Sequence, residues 1–218
     1  MESRSLLGRG QGQVLSRRDK TLRMVEMAML AAISVVLVFL TVPYPLAPFL
    51  KYDFADVPVL LAAFILGPGA GLAVLFVAAF IQAMFLGGNG PIGLLMHFVG
   101  SGTLLLAASL IYRQGRYTTR SMVLGLLAGT VLRAAVMIPL NFIFTPNVVS
   151  GIKIPVAASV FFHGGVGAYA EEALAAYHLV KGMLLTTLLP FNLTQAGANS
   201  VICFLLFKSL SLYLKKKA

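Results

Sequence analysis

Long apolar runs recur along this chain, near 24–42, 55–66, 69–86, 92–112, 121–144 and 190–214, and no other feature restricts the fold so strongly. A helix needs roughly 20 apolar residues to cross about 30 Å of hydrocarbon. One signal peptide or anchor would give one run, not a series. Hydrophobic residues fill 59% of the 218 positions and charged ones 11%, at a mean hydropathy of +0.90, against about 45–50% and about 25% in a soluble domain. A water-soluble core cannot hide that much apolar surface. The sequence therefore predicts an all-α integral membrane protein, a bundle of six transmembrane helices. At about 1.5 Å per residue the 55–66 run is too short to cross alone, so its neighbours extend it or it is a broken helix beside a site.

Charge orients the bundle. The net charge of +10 would suggest nucleic acid in a soluble protein, but here it sits at the ends of apolar runs. Arg4, Arg9, Arg17, Arg18, Lys20 and Arg23 precede the first run, and Lys215, Lys216 and Lys217 follow the last. Such clusters mark the cytoplasmic side, where anionic lipids also attract them. Both termini on one side require an even number of spans. The connection at 113–120 carries Arg113, Arg116 and Arg120 and reads as cytoplasmic, whereas the uncharged 87–91 connection and the charge-balanced 145–189 connection read as outer. Residues 67–71, GPGAG, mark a tight helical hairpin. Residues 1–20 are expected to be a mobile basic tail and 21–218 the membrane domain. Within it the 145–189 segment is expected to be a long outer loop, part helical from Glu171 to Leu189, lying in the interface, re-entering the bundle or adding a seventh span. The single cysteine, Cys203, lies in an apolar run and excludes an internal disulfide or a cysteine metal cluster. No metal or cofactor is expected.

Polar side chains inside apolar spans are costly and become functional candidates. Asn192, Gln195 and Asn199 in PFNLTQAGAN stand at i, i+3 and i+7, on one helical stripe. With Pro190 expected in the first turn, the stripe begins at the outer surface and forms one polar wall of a pocket; the plain alternative is interhelical bonding between amides. Arg133 and Asn141 flank Pro139 in the fifth run. Arg133 needs a partner, either a ligand carbonyl or another helix. Gln82 and His97 also lie within spans, and a lone histidine there is expected to be a packing residue. Ahead of the short run, KYDFADVP offers Lys51, Tyr52, Asp53 and Asp56. One aspartate is expected to cap the helix and the other to face a ligand. Phe49, Tyr52, Phe54 and Phe191 supply flat apolar surface suited to an aromatic ligand.

Taken together, KYDFADVPVLLAAFILGPGAG (51–71), GGNGPIG with HFVGSG (87–102), MIPLNFIF (137–144) and LLPFNLTQ with FKSL (188–210) resemble the S components of energy-coupling factor (ECF) transporters, and within them the riboflavin-specific type. The resemblance covers nearly all of the chain after the basic tail. It implies a six-helix bundle that captures a vitamin outside and docks on a membrane T component carrying two cytoplasmic ATPases. Ala28 and Ala32 in the first helix, with Ala31 adjacent, resemble the small-residue motif that packs S against T, and alanines at i and i+4 do permit close approach. Substrate contacts are then expected from Asn192, Gln195, Asn141, Asp53, Tyr52, Lys51, Asn199, Phe191 and Arg133. Gln195 stands where riboflavin members typically carry lysine, and Leu75, Ala78 and Ala79 where their third helix often carries charged and amide groups. Glutamine keeps donor and acceptor capacity without charge, which suits riboflavin or a related neutral ligand.

Other classes fit less well. Glu171 and Glu172 followed by His178 resemble elements of prenyl-protein-type membrane proteases, but Ala175 and Ala176 stand where that motif needs its arginine. There is no HExxH, GxSxG or Walker A pattern. A stand-alone secondary transporter usually has mid-membrane ionisable residues and internal repeats. Arg133 and His97 are the available ionisable groups, and no repeat is evident.

Overall fold

The computed structural model describes residues 17–85, 90–150 and 168–217, with the backbone alone at 48–49, 146–150, 168–174, 177 and 213–217. Helix α1 (Arg17–Leu37) leads into a two-stranded antiparallel hairpin, β1 (Val42–Tyr44) and β2 (Ala47–Tyr52). Then follow α2 (Asp56–Ile65), α3 (Pro68–Phe85), α4 (Gly90–Gln114), α5 (Thr119–Ser150), α6 (Ala168–Met183), a π-helical turn (Leu184–Leu188) and α7 (Leu189–Lys217).

Among the described residues four helical stretches are long and apolar enough to cross a membrane: Pro68–Phe85, Gly90–Gln114, Thr119–Thr145 and His178–Leu212. The first expected run, 24–42, divides. Helix α1 starts earlier, within the basic stretch at Arg17, and stops at Leu37; the remainder feeds a hairpin that the sequence reading did not anticipate. Prolines 43, 45 and 48 explain why no helix continues there, and a two-stranded ribbon tolerates them because each strand has a free edge. Of the expected tail, residues 1–16 lie outside the described residues and 17–20 already belong to α1.

Helix α2 is the short one and the centre of the bundle. Its ten residues span about 15 Å, and Val57, Val59, Leu60, Ala62, Ala63 and Phe64 are all buried, as befits a helix apolar on every side. It packs against α1, α3, α4 and α7. Gly67, at φ +101°, turns the chain directly into α3. The α4–α5 pair is the most extensive helix contact. Gly125 and Gly129, at i and i+4 on α5, make it possible: a Cβ would lie 2.6 Å from the Ala108 carbonyl oxygen at the first and 2.7 Å from that of Leu104 at the second.

Helices α6 and α7 run on through the π-helical turn without a break, so Pro190 does not open a helix as its position suggested. The Leu189 N–H reaches back to the Leu184 carbonyl, and this wider turn admits a residue that lacks an N–H of its own. Helix α5 extends to Ser150 and α6 begins at Ala168, so much of the expected 145–189 loop is helix, with α6 packed on α5. Residues 151–167 lie outside the described residues, as do the side chains of Phe49, Glu171 and Glu172.

Candidate binding cleft

A cleft of about 240 Å³ opens where the β2–α2 connection, α3, α4, α5 and α7 converge. Leu50, Lys51 and Asp53 come from β2 and its exit, Phe191, Asn192 and Gln195 from α7, and Gln82, His97, Arg133, Met137 and Asn141 from α3, α4 and α5. Apolar helix faces with a few convergent polar groups are the usual make-up of a small-molecule site.

Charge concentrates on one wall. Arg133 on α5 places Nη1 against Asp56 Oδ2, and His97 Nε2 on α4 lies 3.1 Å from Asp56 Oδ1. The other histidine nitrogen, Nδ1, is 2.7 Å from Gln82 Oε1 on α3. One chain of bonds thus ties four helices together beside the cleft. Arg133 finds its partner in the protein, because an unpaired guanidinium in a span costs about 2.5–3.5 kcal/mol. Neither aspartate caps α2 with its side chain. Asp56 is drawn to the Arg133 guanidinium and the His97 N–H, and Asp53 Oδ1 instead accepts from the Ala55 N–H at 3.1 Å in a local turn. Burial, and then the neighbouring Asp56, push the Asp53 carboxyl above the usual carboxylate range, with His97, the Ala55 bond and Arg133 pulling the other way.

The α7 side of the cleft is neutral. The expected stripe on α7 exists, and its members differ in task. Gln195 Nε2 and Asn199 Nδ2 both donate to the Asp53 backbone carbonyl, at 2.9 and 3.0 Å, fastening the hairpin's exit to α7. Asn199 is fully buried, does not line the cleft, and also donates to the Gln195 carbonyl. Gln195 does line it, and its Oε1 is buried with no protein partner among the described residues. Asn192 and Asn141 line it too, each returning one N–H to its own helix, at Leu188 O and Met137 O (both 2.8 Å), while Asn141 Oδ1 accepts from Thr145.

Aromatic surface closes the rim. Tyr52 stacks on Phe191 at 5.2 Å between centroids, Tyr44 packs on both rings, and the Tyr52 hydroxyl lies 2.7 Å from Thr194 Oγ1. Phe191 and Lys51 line the cleft, whereas Tyr52 stands behind them, latching the hairpin to α7. On α1, Ala28 and Ala32 face outward and Ala31 turns inward onto the core. The sequence reading names Asp56, His97 and Gln82 but misses that they bond in one chain with Arg133; Gln82 and His97 line the cleft and Asp56 stands behind them. An acidic residue opening one apolar helix and an arginine inside another were the available signal, since each needs the other.

A family model described as "ECF transporter, substrate-specific component" matches residues 22–207. The chain belongs to this family. The riboflavin transporter RibU of Staphylococcus aureus (strain TCH60) is 30% identical over 195 residues, covering 89% of this chain and 93% of that protein. The riboflavin transporter FmnP of Bacillus subtilis (strain 168) is 27% identical over 201 residues, covering 91% and 96%. A solved S component of a bacterial ECF transporter superposes with a TM-score of 0.66 at 29% identity, over 90% of this chain and 99% of that one. This S component is therefore a membrane transport subunit rather than an enzyme, and the resemblance read from its motifs holds along almost its whole length.

Proposed function

We propose that this chain is the riboflavin-binding S component of an ECF importer. The observation that carries the reading is the cleft itself: a pocket with an aromatic rim, an uncharged amide wall and a buried, unpartnered acceptor at Gln195 Oε1, in a chain whose relatives are riboflavin transporters along nearly their full length. Apolar and aromatic walls hold a flat ring system. Gln195 accepts from a ring N–H, and Asn141 and Asn192 bond its carbonyl edge or hydroxylated side chain. Lys51 and Asp53 sit at the mouth. Gln195 in place of the usual lysine keeps the α7 wall neutral, which suits an uncharged vitamin.

The bundle crosses the cell membrane six times with both termini in the cytoplasm, with α1, and α2 as a short broken helix whose outer end opens at the cleft mouth, adding two crossings to the four long apolar stretches. The basic clusters around 17–23, 113–120 and 215–217 support that orientation. The outward Ala28/Ala32 face of α1 offers a close-packing surface for a T component, through which two ATPases drive import.

The test is a fluorescence-quenching titration of riboflavin with detergent-purified, ligand-free protein, with pantothenate, folate and thiamine as competitors. Saturable quenching that the competitors leave untouched is the expected result. No binding of riboflavin, with capture of one competitor, would move the substrate to another vitamin.

A further inference from the structure

The ring of His97 is held at both nitrogens, and the two partners differ in what they permit. Nε2 faces Asp56 Oδ1 at 3.1 Å, a buried carboxylate whose other oxygen is held by Arg133. A carboxylate paired with a guanidinium only accepts, so Nε2 carries its hydrogen whether the ring is charged or neutral. Nδ1 is the atom that changes. It faces Gln82 at 2.7 Å, and an amide can answer either state by turning over. A protonated Nδ1 donates to the Gln82 carbonyl, which is the arrangement in the structure, and leaves the NH₂ for the cleft. A bare Nδ1 accepts, so the NH₂ turns toward it and the carbonyl is left for the cleft. Gln82 is half-buried and lines that cleft.

We infer that the charge on His97 decides which end of the Gln82 amide meets the ligand, making Gln82 a specificity-determining residue whose donor or acceptor character follows pH. The inference rests on the vitamin-binding reading of the same cleft and adds to it Gln82, which the sequence marks only as a polar residue within a span, and His97, which it reads as packing. The groups facing His97 are Asp56 from α2, Asp53 from the β2–α2 connection and Arg133 from α5; α3 brings no titratable side chain, and Lys51 of β2 lines the same cleft. With two carboxylates and one guanidinium around it, the ring has counter-charge at hand when Nδ1 takes up a proton. With His97 charged, the cleft presents an N–H donor that suits the ring carbonyls of an isoalloxazine. Binding is then tightest at the acid end and weakens as pH rises through the titration of His97.

The experiment has two arms on the full chain in detergent. Riboflavin affinity is measured by fluorescence quenching across about pH 5 to 8, where histidine ordinarily titrates, for the wild type and for Gln82→Met, which keeps the side chain's length without the amide. In parallel, ligand-free protein labelled with ¹⁵N-histidine is followed by NMR, with His97→Asn identifying the His97 signals. The wild type is expected to lose about two- to tenfold in affinity over the range, the effect of one hydrogen bond, with a midpoint matching the Nδ1 titration. Gln82→Met is expected to bind without that pH dependence and to shift the Nδ1 midpoint. Flat binding in the wild type, tightening with rising pH, or a dependence that survives in Gln82→Met would each overturn the inference. If riboflavin binds at no pH, the vitamin reading fails and the NMR arm still decides: an Nδ1 titration indifferent to Gln82→Met overturns the inference.

Discussion

Two polar regions meet at the cleft, and they are built on opposite terms. On one wall Gln82, His97, Asp56 and Arg133, from four different helices, bond to one another around the Arg133–Asp56 ion pair. On the other, the amides of α7 bond to backbone carbonyls, chiefly that of Asp53. A buried charge cannot be left alone, so the first region fixes helix spacing and tolerates little change. Neutral amide bonds to backbone are worth about 0.5–1.5 kcal/mol net, so each bond in the second fastens the hairpin more weakly than the ion pair fastens the helices.

The largest test of that contrast is to break the charged wall. Arg133→Ala or Asp56→Ala leaves the other charge buried without its partner and is expected to cost about 3–5 kcal/mol, read as a fall in thermal unfolding temperature in detergent. The double variant Asp56→Ala/Arg133→Ala leaves neither charge and is expected to recover part of that loss. Single variants no worse than an ordinary core truncation would mean that water or lipid headgroups reach the pair. A smaller effect separates two members of the neutral wall. Gln195→Ala and Asn199→Ala each remove one bond to the Asp53 carbonyl and should lower stability similarly. Gln195→Ala also removes the unpartnered acceptor at the cleft, so its riboflavin affinity is expected to fall by about 1–3 kcal/mol, while Asn199→Ala loses only severalfold. Equal losses would make both residues hairpin fasteners and nothing more.

Much of this was legible in the sequence. The long apolar runs gave α3, α4, α5 and α7 because lipid leaves the backbone no other partner than its own helix, and the i, i+3, i+7 spacing placed Gln195 and Asn199 on one face. Their split in task was not legible, since it depends on which carbonyl lies opposite. The hairpin was hidden because three prolines among apolar residues read equally well as a helix end or a loop. The join of α6 to α7 was hidden because Pro190 signals a helix start, and a π-helical turn that absorbs it leaves no mark in composition. One of Asp53 and Asp56 is expected from sequence to cap α2, and neither does; for Asp56 the local rule loses to Arg133 and His97, which sequence distance, 41 residues to His97 and 77 to Arg133, keeps out of view.

The finest test compares the two neighbouring aspartates. Asp53 has its carboxyl raised above the usual range by burial and by Asp56, so ionising it is harder in the folded chain than in the unfolded one. Folding therefore loses stability as pH rises from the unfolded value through the raised folded value, and the penalty vanishes below about pH 4, where both states are protonated. Asp53→Asn removes that penalty while its side-chain oxygen still accepts from Ala55. A small gain in unfolding temperature at neutral pH, shrinking toward none near pH 4, is the expected outcome. Asp56→Asn in the same buffer takes away the charge that holds Arg133 and His97, and should lower the unfolding temperature instead. Opposite signs from two carboxylates three positions apart would place the boundary between the neutrally fastened hairpin and the charged wall at the start of α2. Matching losses would extend the charged wall outward to include Asp53, with its carboxylate held by His97 and Arg133 rather than opposed by Asp56.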